Sequence, residues 1–177
     1  DLLSLSRVTT QGQPLVSVDL NVVTHEVLSD LVISIEESGG EVEVGALPTI
    51  EADPTQMQQL LQNLVGNALK YHRDGVPPVV KIRSRLLNGV NGQATGESAS
   101  EDFCEITVAD NGIGFDEIYA ERIFTVFQRL HGRESYDGTG IGLAICRKIA
   151  ERHGGHVTAT SCPESGSTFT VTLPILQ

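Results

Sequence analysis

A chain of 177 residues with 40% hydrophobic and 20% charged side chains has the length and composition of one globular domain, able to bury roughly 70% of the surface its unfolded form exposes. Its net charge of −11 argues against a nucleic-acid partner, because a phosphate backbone is held by clustered Lys and Arg. No apolar run approaches the ~20 residues of a membrane span. Cys104, Cys146 and Cys162 are odd in number and lack metal-ligand spacing, so reduced thiols in a cytoplasmic protein are expected.

The opening residues, DLLSLSRV, do not read as a signal peptide but as the middle of a longer chain. They predict the tail of an upstream helix, broken by Thr10–Pro14 (TQGQP), so a tail and linker are expected over 1–12 and the domain proper over 13–177. Leu15–Asp19 reads as a short strand. Leu20 to Glu37 carries apolar residues at 20, 23, 27, 28, 31, 32 and 35, the period of one amphipathic helix. Asp19 or Asn21 can cap it, and Ser38-Gly39-Gly40 ends it. His25-Glu26 has no polar partner at helical spacing and reads as surface. Glu41–Val44 and Pro48–Glu51 predict strands, and Asp53-Pro54-Thr55 is a helix entry with Pro at the first position.

The next stretch, QMQQLLQNLVGNALKY over Gln56–Tyr71, divides into two faces at 100° per residue. Met57, Leu61, Leu64, Val65 and Ala68 form the apolar stripe, while Asn63, Asn67 and Lys70 follow one another on the opposite side. Amide oxygens are neutral hard ligands suited to Mg²⁺, and a lysine one turn on can hold a phosphate. A solvated face that carries Asn reads equally well for this helix alone.

His72–Gly75 and Pro77-Pro78 make a break before a strand over Val79–Leu87. Asn88–Asp102 is rich in Gly, Ser and Asn and predicts a long hairpin loop, with the partner strand at Phe103–Ala109. That strand delivers the chain to Asp110-Asn111-Gly112-Ile113-Gly114. Glycines there allow close approach to a ligand, and an aspartate at a strand end can accept from an exocyclic amine. A plain tight turn is the alternative. Asp116–Phe127 predicts a short helix with Phe124 and Phe127 three apart. Gln128–Thr139, polar and holding Arg129 and Arg133, reads as a lid over phosphates or as an ordinary surface loop. Gly138-Thr139-Gly140-Ile141-Gly142-Leu143 opens a helix through Arg152, where backbone N–H groups can meet an anion, and His153-Gly154-Gly155 ends it. His156–Ser161 and Ser167–Leu173 predict a closing hairpin.

Taken in order, these four boxes closely resemble the catalytic, ATP-binding domain of bacterial sensor histidine kinases, within the gyrase–chaperone–kinase–mismatch-repair ATPase superfamily. Asn63–Tyr71 is similar to the family's N box, Asp110–Gly114 to its first glycine box, Phe124–Phe127 to its phenylalanine box and Gly138–Leu143 to its second. The run Gln128–His131 with Tyr136 looks most like phytochrome-type and multi-sensor kinases. The resemblance spans roughly 15–174, and even DLLSLSRV resembles the end of a dimerisation-domain helix.

The resemblance implies an α/β fold, a two-layer α/β sandwich (Bergerat ATP-binding fold) whose mixed sheet carries three helices on one face. It implies ATP and Mg²⁺ as cofactors. Asn67 would be the main metal ligand with Asn63 beside it; Lys70 and the lid residue Arg129 would contact phosphates. Tyr71 would pack near the base and Asp110 would receive the adenine amine. Gly112, Gly114, Gly138, Gly140, Gly142 and Leu143 would shape the nucleotide cradle, and Thr168 would back the adenine pocket. The hydrolytic relatives place a water-activating glutamate where this chain has Asn63, which cannot act as a base. Phosphoryl transfer is thus expected over an ATPase or a non-catalytic interaction module. No histidine here has the acceptor pattern, so the acceptor is expected in an upstream dimerisation domain. Expected partners are that domain and a response-regulator receiver domain, with a homodimeric full-length protein, a monomeric fragment and no nucleic acid.

Overall fold

In the computed structural model, residues 3, 6, 12–87, 102–127 and 139–177 are described. Strict alternation in the later strands decides which side the helices cover. Ile82, Val108, Phe169 and Ala159 face one another as a cross-strand row, and all four are buried. Their sequence neighbours Arg83, Thr107, Thr168, Thr170 and Thr158 turn to the other side. One face of the sheet is therefore apolar and must be covered.

The elements run β1 (Val16–Asp19), α1 (Leu20–Asp30), α2 (Val32–Ser38), β2 (Glu41–Val44), β3 (Thr49–Ala52), α3 (Pro54–Lys70), β4 (Val79–Leu87), β5 (Phe103–Asp110), two 3₁₀ turns (Glu117–Tyr119 and Arg122–Phe124), α4 (Gly142–Arg152), β6 (His156–Cys162) and β7 (Gly166–Pro174). The main sheet has the order β2-β4-β5-β7-β6, and β1 pairs with β3 in a separate ribbon. Strands β2 and β4 are parallel; every other pairing is antiparallel. Helix α3 lies over β4 and β5, α4 over β6 and β7, and α1 packs against α3. This is the mixed-sheet, two-layer α/β sandwich implied by the boxes. The open face carries exposed ion pairs such as Arg85–Glu105 at 2.8 Å, worth at most about 1 kcal/mol each.

Two elements differ from the sequence pattern. The helix expected over Leu20–Glu37 is broken at Leu31, whose backbone (φ −95°, ψ 5°) leaves the helical region. Leu31 N–H still reaches Val27 O and Ile35 N–H reaches Leu31 O, so the apolar period runs through the break and hides it. Residues Asp116–Phe127 form the two 3₁₀ turns instead of an α-helix. Asp116 Oδ1 accepts from Ile118 N–H and Thr125 Oγ1 donates to Arg122 O at 2.6 Å, local bonds that compete with an i→i+4 ladder. The expected break over Thr10–Pro14 is described only from Gly12, and Asn88–Asp102 only at Asp102; the remainder of both lies outside the described residues, as does all but Leu3 and Ser6 of the expected helical tail.

The start of α3 is fixed by a buried carboxylate. Asp53 Oδ1 caps the helix by accepting from Thr55 N–H and Gln56 N–H, and Oδ2 accepts from Gln13 N–H at 2.7 Å. Asp53 N–H in turn donates to Nε2 of His153, at 3.0 Å, while His153 Nδ1 donates to Ile149 O at 2.7 Å. Both side chains are 0% exposed. The imidazole is thus neutral with one tautomer specified, and a second ring proton would point at the Asp53 N–H.

Burial holds the His153 pKa below its ordinary 6.5, opposed by the bond to Ile149. Between the folded value and 6.5 the unfolded chain binds the proton first, so stability present above pH ~6.5 is lost as the pH falls towards the folded value. The melting temperature is expected to fall between pH 7.5 and 5.5. His153→Gln, which retains an acceptor for Asp53 N–H, is expected to lose most of that slope; an unaltered slope in the variant would remove His153 as its source.

Candidate functional site

The second half of α3 brings the polar row to a surface. Leu60, Leu61, Leu64 and Val65 are buried, which turns Asn63, Asn67 and Lys70 away from the core. Asn63 Nδ2 donates to Gly142 O at 3.3 Å, tying the row to the first residue of α4. The side chains of Asn67 and Lys70 make no hydrogen bond or ion pair with any described residue. The Lys70 ammonium lies 4.8 Å from the ring centre of Tyr71, the C-cap of the helix. A half-buried amide and ammonium without a hydrogen-bonding or ionic partner among the described residues are suited to a polar ligand.

The glycine turn after β5 closes against that helix end. Ile113 N–H donates to Tyr71 O at 2.9 Å, and a Cβ on Gly112 would collide with the same carbonyl. Gly112 is required here by close approach. Gly114, at φ +61°, runs so near Cys162 O that a side chain would strike it. Asp110 Oδ1 accepts from Gly112 N–H at 2.8 Å and Ser167 N–H at 3.2 Å; no described residue bonds Oδ2. Burial raises the Asp110 pKa, with the two N–H bonds pulling the other way. The neighbouring Asn111 anchors the turn, accepting from Val79 N–H at 2.8 Å.

Of the phenylalanine box, Phe124 is buried edge-on against Phe169, centroids 6.2 Å apart, with Arg147 over its other side at 5.0 Å. Phe127 is 61% exposed and adopts φ +63°, so the two phenylalanines do not share a face. Phe127 N–H donates to Gly140 O at 3.0 Å, bringing together the two ends of the segment between them. Arg129, Arg133 and Gly138 lie outside the described residues. After Gly140 (φ +70°), helix α4 starts at Gly142 without a side-chain cap, leaving backbone donors beside Asn63. Leu143 is half-buried against the core.

The structure places Thr168 differently from its neighbours in this group. It pairs with Ala109 and Thr160, on the open face of the sheet, whereas Ser167 lies on the helix side against Asp110. Sequence reasoning missed Ser167, and also Ser161, whose Oγ accepts from Phe115 N–H at 2.9 Å. The signal that could have found them is strand parity: Ser167, two before the buried Phe169, shares its face. Burial pushes the Cys146 thiol up to about 12, with its contact to Asn63 pulling the other way; Cys104 is raised to about 11 by burial. Both are neutral, and all three cysteines are free.

A helix face of Asn, Asn and Lys, a strand-end aspartate and two glycine turns thus converge on one side of the sheet. Residues 52–177 match the family model described as histidine kinase-, DNA gyrase B- and HSP90-like ATPase, and the chain belongs to that family. Within it, the chain has the form of the ATP-binding catalytic domain of sensor histidine kinases. It is 42% identical to the phytochrome-like protein Cph1 of Synechocystis over 99% of this chain and 22% of that protein. It is 36% identical to the adaptive-response sensory kinase SasA of Prochlorococcus marinus over 74% of this chain and 32% of the relative. Among solved structures, full-length ShkA in complex with AMPPNP superposes with a TM-score of 0.76 at 26% identity, covering 98% of this chain and 34% of that one. The catalytic domain of histidine kinase ThkA gives 0.69 at 26% identity, over 93% of this chain and 100% of its own. The chain spans about a fifth of the length of the phytochrome-like relatives it matches.

Asp110 supplies a test that separates binding from folding. Its raised pKa means that keeping the carboxylate ionised at neutral pH costs folding stability, the reverse of a salt-bridged aspartate. Asp110→Asn retains an oxygen for Gly112 and Ser167 but can place a donor where Oδ2 stood. The apo variant is expected to melt no lower than the parent, while ATP affinity falls by about 1.5–3 kcal/mol. A variant that melts lower and binds equally well would contradict this assignment.

Proposed function

We propose that this domain binds Mg-ATP and transfers its γ-phosphoryl to a histidine of a dimerisation and phosphoacceptor domain upstream in the same protein, for onward passage to a response-regulator receiver. The observation that carries this reading is the α3 row set across from Asp110, with Asn63 standing where hydrolytic relatives hold a glutamate. Asp110 receives the adenine amine, and the Gly112 and Gly114 backbone lets the base come close. Tyr71 borders the base and Lys70 meets the phosphates, with Arg129 as a further cation. The neutral oxygens of Asn67 and Asn63 fit a Mg²⁺ ion that keeps water and phosphate oxygens in the rest of its shell. When bound, Mg²⁺ supplies charge neutralisation to the phosphates.

Catalysis on this reading is positioning. The domain holds the phosphoryl group in line while an imidazole from elsewhere approaches. Asn63 cannot take a proton from water, and its amide is already bonded to Gly142 O. The domain's own buried histidine is no acceptor, since both ring nitrogens of His153 are engaged. A homodimeric, cytoplasmic kinase with this fragment monomeric fits the same reading; no helix among the described residues is long and apolar enough to cross a membrane.

Asn67→Ala is expected to remove Mg²⁺-dependent ATP binding below detection by titration calorimetry without lowering the melting temperature, because that face contributes nothing to the core. Unchanged affinity would discard Asn67 as the ligand. Incubated with radiolabelled ATP, the fragment alone is expected to hydrolyse it barely and to remain unlabelled. With the upstream domain added, acid-labile label is expected on that domain. Acid-stable label, or strong self-labelling, would overturn the kinase reading.

A further inference from the structure

We propose that Ser161 is a positioning residue for base recognition: by taking up the hydroxyl proton of Ser167, it leaves Ser167 and Asp110 presenting acceptors alone to a 6-aminopurine. The inference rests on the ATP-binding reading above and concerns the same pocket.

Beyond the apolar row of Ile82, Val108, Phe169 and Ala159, the next positions on the helix side of the sheet are Val80, Asp110, Ser167 and Ser161. Val80 is paired with Asp110 and Ser167 with Ser161; Ser167 N–H closes the middle gap onto Asp110 Oδ1 at 3.2 Å. The polar members of this row occupy three adjacent strands at the mouth of the site.

The hydrogen bonds determine where each hydroxyl proton goes. Ser161 Oγ donates to Gly166 O at 2.8 Å, and a serine has a single proton to give. The same oxygen accepts Phe115 N–H at 2.9 Å. Ser167 Oγ lies 3.0 Å away, so in that contact Ser167 donates and Ser161 accepts. Its proton is therefore directed along the row, away from Asp110, and only lone pairs remain on the side that faces the aspartate.

Without Ser161, the Asp110 carboxylate, which already accepts Ser167 N–H, competes for the Ser167 proton, and a bond to a charged acceptor is the stronger choice. That bond would occupy a lone pair needed by the base and replace an acceptor with a donor beside it. An exocyclic amine offers two N–H donors and suits a pair of acceptors. A 6-oxo purine offers an acceptor and opposes them. Thr168 lines the same cavity but lies outside this row, since strand alternation sets it on the other face.

The test compares two probes on the 177-residue chain by calorimetry with Mg²⁺: a non-hydrolysable ATP analogue, and the same nucleotide with hydrogen in place of the 6-amino group. The parent is expected to prefer the amine by about tenfold, the size of one or two well-made hydrogen bonds. Ser161→Ala is expected to compress that preference by about three- to tenfold, and Ser161→Thr, which keeps the hydroxyl, to restore it. Ser167→Ala, which leaves the Phe115 and Gly166 bonds on Ser161, is expected to compress it as well. A Ser161→Ala variant that weakens both probes in parallel, or a Ser167→Ala variant with the full preference, would overturn the proposal. Failure of the parent to bind either probe would instead overturn the ATP-binding reading on which it stands.

Discussion

The fold depends on one buried carboxylate. Asp53 sits where the entering chain, the first turn of α3 and the last turn of α4 meet, and it satisfies all three with two oxygens and one N–H. A bare charge there would be too costly to keep. It is tolerated because three backbone N–H groups converge on it and the Arg152 guanidinium lies 3.9 Å away. The helices it joins run antiparallel, so the start of α4 at Gly142 is brought beside Asn63, in the second half of α3. The candidate site is built at that far end. A change at Asp53 or His153 would therefore reach the site through two rigid helices without touching any residue in it.

The site itself is a meeting of backbone more than of side chains. Tyr71 O, Ile113 N–H, Gly112 and Gly114 interlock the end of α3 with the turn after β5, and Glu164 N–H bonds Ile113 O at 2.7 Å from the β6–β7 hairpin. Three segments distant in sequence thus fix the rim. The polar side chains gathered at the candidate site are then few: the α3 row, Asp110 and the serines beside it. Phe127 N–H bonds Gly140 O, and Arg147 stacks on Phe124 nearby.

Much of this was legible in the sequence where a local pattern carried it. The two-faced helix Gln56–Tyr71, the Asp53-Pro54 entry and the first glycine turn are local motifs that lie where the pattern put them, and the described part of the second glycine turn, from Thr139, leads into α4 as the pattern implied. What was not legible depends on partners far along the chain. The Asp53–His153 bond joins residues 100 apart, and nothing near either one announces it. Ser167 was missed beside Thr168 for the same reason on a smaller scale, since adjacent residues of a strand face opposite ways. The break at Leu31 escaped because one altered ψ leaves the apolar period intact. The 3₁₀ turns escaped because Asp116 and Thr125 spend their side chains on nearby backbone, which apolar spacing does not report.

The parallel pairing of β2 with β4 has a consequence for where this domain can be cut. The family match begins at residue 52, yet β2 comes from before it and forms one border of the main sheet. That border is only four residues long and carries Glu41 and Glu43, the short, charged design that discourages strangers from adding a strand. A piece starting at residue 52 would end instead on β4, nine residues long with Leu86 exposed, and would also strip α1 from the side of α3. Residues 16–51 thus cover the β4 edge and one flank of α3, and a piece without them would offer that long edge for pairing with a neighbour.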